Sequence, residues 1–271
     1  MTKILPSDYN FVLPCAPETL VRLGIDKDGG YIVDKKIIDK TNILVSFGMA
    51  DEYSFEKEFL KKNEQKRVFI FDYSISKRFY IQEIFKNIRR LLKFKRKFKK
   101  LKNTLNTYAN FKEFIKKNGV SFFSKKITNN ITNKEDIDIS GVFKKFNLGS
   151  DEEITLKVDI EGDEYKIVDD ILSHERNIAQ IVMEYHDTHT KKDMFFDNIK
   201  KFQKFYNIIH LHGNNYRELN KDGFPINIEV TLCKKKYIQQ SCKKSYILPI
   251  EKLDYPNNPK SPDLKIEFEK N

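Results

Sequence analysis

Polar side chains able to do chemistry gather at four places in the sequence, each just after an apolar run. Asp159 and Glu161 follow Ile154-Thr155-Leu156-Lys157-Val158. Glu184, His186 and His189 follow Ile178-Ala179-Gln180-Ile181-Val182-Met183, and His212, Asn214 and Asn215 follow Tyr206-Asn207-Ile208-Ile209. Gly48 ends one more such run and Asp72 closes another. Four of the five histidines fall between residues 186 and 212. A lone histidine is more often a packed or surface residue. Two histidine-bearing clusters at strand ends point to a function for at least one of them. Asp159, His186 or His189 suits a general base, since imidazole is already poised near neutral pH. Asp159, Glu184 and a histidine equally suit a divalent ion, Mg²⁺ or Mn²⁺, that lowers the pKa of a bound hydroxyl. Spacing does not separate these mechanisms, and no tight H-x-x-x-H or C-x-x-C ligand pattern is present.

The elements that must position these groups are legible around residues 42–72. Ile43-Leu44-Val45-Ser46-Phe47 reads as a buried strand, Gly48 follows, and Tyr53, Phe55, Phe59 and Leu60 recur near helical spacing. A second run, Arg67-Val68-Phe69-Ile70-Phe71, then ends on Asp72. Gly48 would let a ligand approach backbone that a Cβ would block. The next helix offers free N–H groups, and an acid about 20 residues on accepts ribose hydroxyls. The competing reading is an ordinary βαβ unit with a turning glycine and a capping acid. The full G-x-G-x-x-G pattern is missing, which counts against a dinucleotide. It leaves room for a nucleoside without phosphates, such as S-adenosylmethionine (SAM).

At 271 residues the chain is read as a single domain over 1–271. Residues 1–40 form an extended lead-in and a hairpin turning at Asp28-Gly29; residues 243–271, with four prolines, form an extended tail. Residues 119–123, 154–160, 178–184, 206–212 and 226–232 continue the strand series, with helices expected near 139–146, 164–172 and 192–205. The pattern is that of a mainly parallel seven-stranded sheet with an antiparallel last strand. No apolar run spans a membrane, no signal-peptide core is present, and three cysteines without metal spacing predict free thiols in a reducing cytosol.

The net charge of +11 is local. Residues 76–117 carry 15 Lys or Arg against two Glu, a net +13, so the rest of the chain is at −2. Ile81, Ile84, Phe85, Ile88, Leu91 and Leu92 predict that this basic insertion, 76–118, is helical and projects from the domain. An anionic substrate, an acidic partner or an anionic membrane surface would suit it; a merely solvated helix face is the alternative.

Leu156-Lys157-Val158-Asp159-Ile160-Glu161-Gly162-Asp163-Glu164 resembles the K-I-D-I-E-G-x-E signature of FkbM-type SAM-dependent methyltransferases. Asp28-Gly29-Gly30-Tyr31 is similar to the D-G-G-Y segment of one bacterial branch. Ser46-Phe47-Gly48 through Ser54-Phe55-Glu56, His210-Leu211-His212-Gly213-Asn214-Asn215, Ile228-Glu229-Val230-Thr231 and Leu253-Asp254-Tyr255-Pro256-Asn257 resemble further blocks of that branch. The resemblance implies a Rossmann-like class I methyltransferase fold, SAM as methyl donor and O-methylation of a sugar. It implies a cofactor site of Asp28, Gly29, Gly30, Tyr31, Gly48, Glu52, Asp72, Tyr73 and Asp159. The acceptor side would be Glu161, Glu184, His212, Asn214 and Asn215. Motif I departs from the usual D-x-G-A-N, and the basic insertion is not a general family feature.

The expectation is therefore a cytoplasmic O-methyltransferase, peripheral at the inner membrane, for a nucleotide-activated or surface-polysaccharide sugar. An RNA methyltransferase with the basic helix as phosphate clamp predicts steep salt dependence, but no nucleic-acid motif accompanies the charge. A non-catalytic scaffold of a glycan-assembly complex predicts no SAM binding. The missing glycines make a NAD-dependent oxidoreductase the weakest reading.

Overall fold

The computed structural model describes residues 3–93, 98–146, 148, 151–238 and 242–270. Residues 94–97 of the basic run, and Asn147 and Gly149 at an expected helix end, lie outside them. Seven strands form the central sheet: β1 (Ile43–Phe47), β2 (Arg67–Phe71), β3 (Val120–Phe123), β4 (Ile154–Val158), β5 (Ile178–Tyr185), β6 (Tyr206–Gly213) and β7 (Ile228–Lys234). Their order is β6-β7-β5-β4-β1-β2-β3. β1 to β5 are parallel, and β7 runs antiparallel to β5 and β6. This is a Rossmann-like arrangement, mainly parallel with its last strand in chain order antiparallel, as the alternation of apolar runs predicts.

Period two sorts the strand residues onto two apolar layers. Ile43, Val45 and Phe47 pack on one face with helices α5 (Ile139–Phe143), α6 (Val168–Ser173) and α7 (Lys192–Phe202), through Ile139, Ile171 and Phe195. Leu44 faces the other layer, with Ile38 of α1 (Lys35–Lys40) and Phe55 and Phe59 of α2 (Ser54–Leu60). Phe55 and Phe59 are one helical turn apart and fully buried, each contributing about 1.5–3 kcal/mol. The hairpin Leu20–Leu23/Tyr31–Asp34 caps this layer. Thr231 Oγ1 donates to Ile32 O at 2.6 Å, and Asp34 N donates to Gln180 Oε1 at 2.8 Å.

The basic insertion is two helices, α3 (Lys77–Lys93) and α4 (Phe98–Phe114), packed on each other. Tyr80 stacks on Tyr108 and meets Phe111, and Asn87 Nδ2 donates to Thr104 Oγ1 at 3.1 Å. The predicted apolar stripe Ile81, Phe85 and Ile88 is exposed instead of packed. Periodicity identifies a helix, but not which face is covered.

The two termini are less extended than expected. Residues 7–12 form a 3-10 turn, Ile4–Leu5 pairs with Ile266–Phe268, and Cys15–Ala16 pairs with Lys243–Lys244. That last pairing brings Cys15 and Cys242 to a Cα separation of 5.2 Å, where they form a disulfide. This corrects the expectation of three free thiols; Cys233 alone is free, and buried. Among the described residues no helix is long and apolar enough to cross a membrane.

Candidate functional site

The carboxyl ends of β1, β2 and β4 enclose a pocket lined by residues 48–50, 71–74, 125–127 and 159–161, with Asp163. Gly48 turns out of β1 at φ +73°, and a Cβ there would lie 1.7 Å from Asp159 O. The glycine is thus required by the approach of two strand ends, in addition to any ligand. Ala50 and Glu161 also adopt positive φ, at 50° and 56°. Backbone strain of this kind concentrates at ligand sites.

Asp72 binds its own loops tightly. Oδ2 accepts from Met49 N and Ala50 N, at 2.8 and 2.9 Å. Oδ1 accepts from Ser74 N and Oγ at 2.7 and 2.6 Å and from Ile75 N at 3.3 Å. The carboxylate that spacing offers to a ribose also holds the glycine turn against the end of β2. Exposed Tyr73 lines the same pocket, with Lys126 Nζ 5.9 Å from its ring centroid.

Beneath the glycine turn lies a buried ion pair that sequence reasoning missed. Lys157 Nζ donates to Gly48 O at 2.8 Å and stands 3.5 Å from Glu56 Oε1, which accepts from Ser46 Oγ at 2.6 Å. Burial pulls the Lys157 ammonium down, but Glu56, Asp159 and Asp72 outweigh it and hold the pKa above the usual lysine value. The signal was available: a lysine in the middle of an otherwise apolar strand needs a partner.

Asp159, Glu184 and His186 form one cluster, with one ligand atom from each within 4.8 Å of the others. His186 Nε2 is 3.9 Å from Asp159 Oδ1, 3.7 Å from Glu184 Oε1 and 3.6 Å from Glu161 Oε2. Its other nitrogen, Nδ1, is 3.2 Å from Glu164 Oε1, which also accepts from His186 N at 2.6 Å. Glu164 is fully buried and was not expected in the site. Burial pulls the His186 pKa down, while the Glu164 hydrogen bond and the charges of Glu184, Glu164 and Asp159 push it up to about 9. Burial, then Asp159 and Glu229, push the Glu184 carboxyl well above the carboxylate range. Asn214 Nδ2 donates to Glu184 Oε1 at 2.8 Å. The donor set is hard and anionic, with Nε2 turned to the carboxylates and Nδ1 fixed by Glu164, the outer-shell support that metal-binding histidines use.

The hairpin reaches this cluster through Tyr31, whose hydroxyl donates to Asp159 Oδ2 at 3.0 Å. Asp28 accepts from Asn257 Nδ2 at 3.2 Å, and the same nitrogen donates to Glu229 Oε1 at 2.7 Å. Gly29 and Gly30 shape the turn; a Cβ on Gly29 would strike Glu52 Cγ at 2.3 Å. Glu52 itself accepts from Ser54 N at 2.9 Å, at the start of α2. Glu52, Gly29 and Gly30 therefore support the rim and do not line the pocket.

Three candidates stand elsewhere. His189 is exposed in the turn before α7, outside the cluster. His212 is buried between Glu229 Oε2 at 3.2 Å and Asp263 Oδ2 at 3.0 Å. Asn215 Nδ2 donates to the carbonyls of Asn258, Ser261 and Pro262. These last two fasten the C-terminal tail to the ends of β6 and β7, with His210 and Asp254 adding a contact of 3.1 Å.

Protein-family models and curated proteins gave no match to the chain. Among solved structures it is similar to a protein described as an rRNA methylase from Clostridium thermocellum, 12% identical over 84% of this chain and 92% of that one, TM-score 0.39. It is also similar to a precorrin-6y C5,15-methyltransferase from Geobacter metallireducens GS-15, 12% identical over 72% and 81%, TM-score 0.34. A third is the Methanococcus jannaschii fibrillarin pre-rRNA processing protein, 8% identical over 73% and 68%, TM-score 0.35. At such values the fold assignment rests on the strand order and not on these neighbours.

Proposed function

We propose that the protein is a SAM-dependent O-methyltransferase acting on a sugar hydroxyl, and that it belongs with the FkbM-type enzymes its motifs resemble. The observation that carries this reading is the adjacency of the Gly48 pocket to the Asp159–Glu184–His186 cluster, at neighbouring strand ends of this fold. Open α/β sheets bind ligands at that edge. The nucleoside half of SAM would lie against residues 48–50 and 71–74, with its sulfonium toward Asp159.

The chemistry is an in-line displacement. The acceptor oxygen attacks the methyl carbon, the carbon–sulfur bond breaks, S-adenosylhomocysteine leaves, and the hydroxyl proton must go to a base. The Glu164 hydrogen bond and the nearby carboxylates push the His186 pKa up to about 9, which favours the imidazolium and disfavours proton uptake from the acceptor. A cation bound beside Asp159 would offset that carboxylate charge and favour the neutral imidazole. The sulfonium is one such cation. A divalent ion held by Asp159, Glu184 and His186 Nε2 would act differently: it would acidify the acceptor hydroxyl directly, with His186 a ligand and not the base, and the proton passing to solvent. Asp159, Glu161 and Asn214 would orient the acceptor in either case.

The test is calorimetric titration with S-adenosylhomocysteine, on the wild type and on Asp159→Asn, followed by assay of nucleotide sugars with and without Mg²⁺ or Mn²⁺. Micromolar binding weakened by the substitution is expected. No binding to the wild type would remove the methyltransferase reading and favour a scaffold. Turnover unaffected by chelation would exclude the divalent ion.

A further inference from the structure

The α3–α4 hairpin has two unlike faces, and helix geometry fixes what lies on each. Its contact residues are Tyr80 and Asn87 on α3, and Thr104, Tyr108 and Phe111 on α4. A residue one position after a contact residue sits about 100° further round its helix. In an antiparallel pair both helices turn in the same sense about reversed axes, so these following positions emerge on one side of the hairpin. They are Ile81 and Ile88 on α3 and Leu105, Ala109 and Lys112 on α4; Phe85 and Phe98 join the apolar ones at helical spacing, giving a stripe of Ile81, Phe85, Ile88, Phe98 and Leu105. All five are exposed, Phe85 and Phe98 by 61% and 65%. The residues one position before the contacts, including Phe79, Asn103 and Thr107, emerge on the other side, where they line a cleft against Ala50 and Ser74. The apolar face therefore points away from the candidate site.

The same face carries cations. Lys102 and Lys112 fall at helical spacing from Leu105, and Arg89 and Lys99 flank the stripe; all are exposed. Glu113 shares the outward side of α4 with them, so that face carries an excess of cations. We propose that this face seats the protein on an anionic bilayer, the apolar side chains entering the headgroup boundary and the lysines and arginines lying at the lipid charge. A Lys- and Arg-rimmed apolar stripe on a helix that does not span is the composition that binds in this way. A nucleic-acid clamp would also use the cations. Ile81, Ile88 and Leu105, however, offer nothing to a phosphate or a base, and within the stripe only Phe85 and Phe98 could stack on one.

The experiment is cosedimentation of the full chain with vesicles of phosphatidylglycerol in phosphatidylcholine, and with phosphatidylcholine alone. Binding to the first and not the second is expected. The double variant Phe85→Ser, Leu105→Ser should weaken partitioning at least about tenfold at unchanged net charge, since both removed side chains are apolar. Melting temperature should not change, because both are on the surface. The chain has no tryptophan, so Phe85→Trp supplies a single reporter. Its emission should shift to the blue with the anionic vesicles, while a reporter at the exposed Phe205, remote in sequence from the hairpin, should not shift. Absence of binding to phosphatidylglycerol vesicles overturns the proposal. So does equal binding by the double variant, which would reduce the contact to lysine adhesion. Salt-steep binding to single-stranded RNA that survives the double variant, without vesicle binding, would replace the lipid with a nucleic acid.

Discussion

Tyr31 and Asp159, 128 residues apart in sequence, share a hydrogen bond of 3.0 Å that ties the N-terminal hairpin to the carboxyl end of β4. Burial, then the charge of Asp159, hold the Tyr31 phenol well above its ordinary pKa, so it remains a donor at neutral pH. One carboxylate oxygen of Asp159 is thus fixed by the hairpin, and the other faces His186.

Tyr31→Phe removes a hydrogen bond to a charged group, a loss of about 1.5–3 kcal/mol. The melting temperature should fall with the circular dichroism spectrum intact, and affinity for S-adenosylhomocysteine should drop several-fold. Unchanged affinity would separate the hairpin from ligand binding.

Gly48→Ala and Gly162→Ala both place a Cβ at positive φ, yet they should differ. The Gly48 Cβ would meet Asp159 backbone at 1.7 Å; the Gly162 Cβ would meet only the end of the Lys191 side chain, at 3.0 Å. Urea unfolding should show about 1–2 kcal/mol lost at Gly162, from left-handed strain alone. The loss at Gly48 should be clearly larger, up to failure to fold.

Lys157→Met should destabilise by about 3–5 kcal/mol, because it strands Glu56 as a buried unpaired carboxylate. Adding Glu56→Gln should recover much of that loss. A double variant no better than Lys157→Met would mean that the packing of the lysine stem, and not the charge pair, is what matters.

The pH dependence of stability should carry a signature of His212. Burial pulls its pKa down, but hydrogen bonds to Asp263 and Glu229 hold it well above the ordinary histidine value. A pKa raised in the folded state means the imidazolium stabilises fully below about pH 6.5, the unfolded value. The contribution fades as pH rises through the folded value. Melting temperature should therefore decline from neutral into alkaline pH, and less steeply in His212→Gln.

Alkylation with iodoacetamide in denaturant without reductant should modify one cysteine, Cys233, and all three after reduction. Three adducts before reduction would mean that Cys15 and Cys242 are free in the isolated protein.

Much of the fold was legible because the strands are buried on both faces and so stand out as apolar runs. β1 and β2 match their expected limits, and the antiparallel β7 followed from two late strands close together. The site was legible in part. The strand-end rule brings Gly48, Asp72, Asp159, Glu184 and His186 to one edge. It could not tell His186, which faces the Asp159–Glu184 cluster, from His212, which fastens the tail, because both stand at the carboxyl end of a strand. That distinction depends on Asp263, 51 residues from His212. Lys157 and Glu164 escaped notice because their roles depend on partners contributed by other segments.

Asn257 donates from one nitrogen to Asp28 and to Glu229, so the hairpin turn at Asp28 and the segment at Asn257 meet beside β7. During synthesis this junction cannot close until residue 257 has emerged from the ribosome. Nascent chains short of that point carry Asp28 and Glu229 without their shared donor. Assembly of this side of the rim therefore waits on residue 257, and a chain terminated before it would lack the junction however well its sheet had formed.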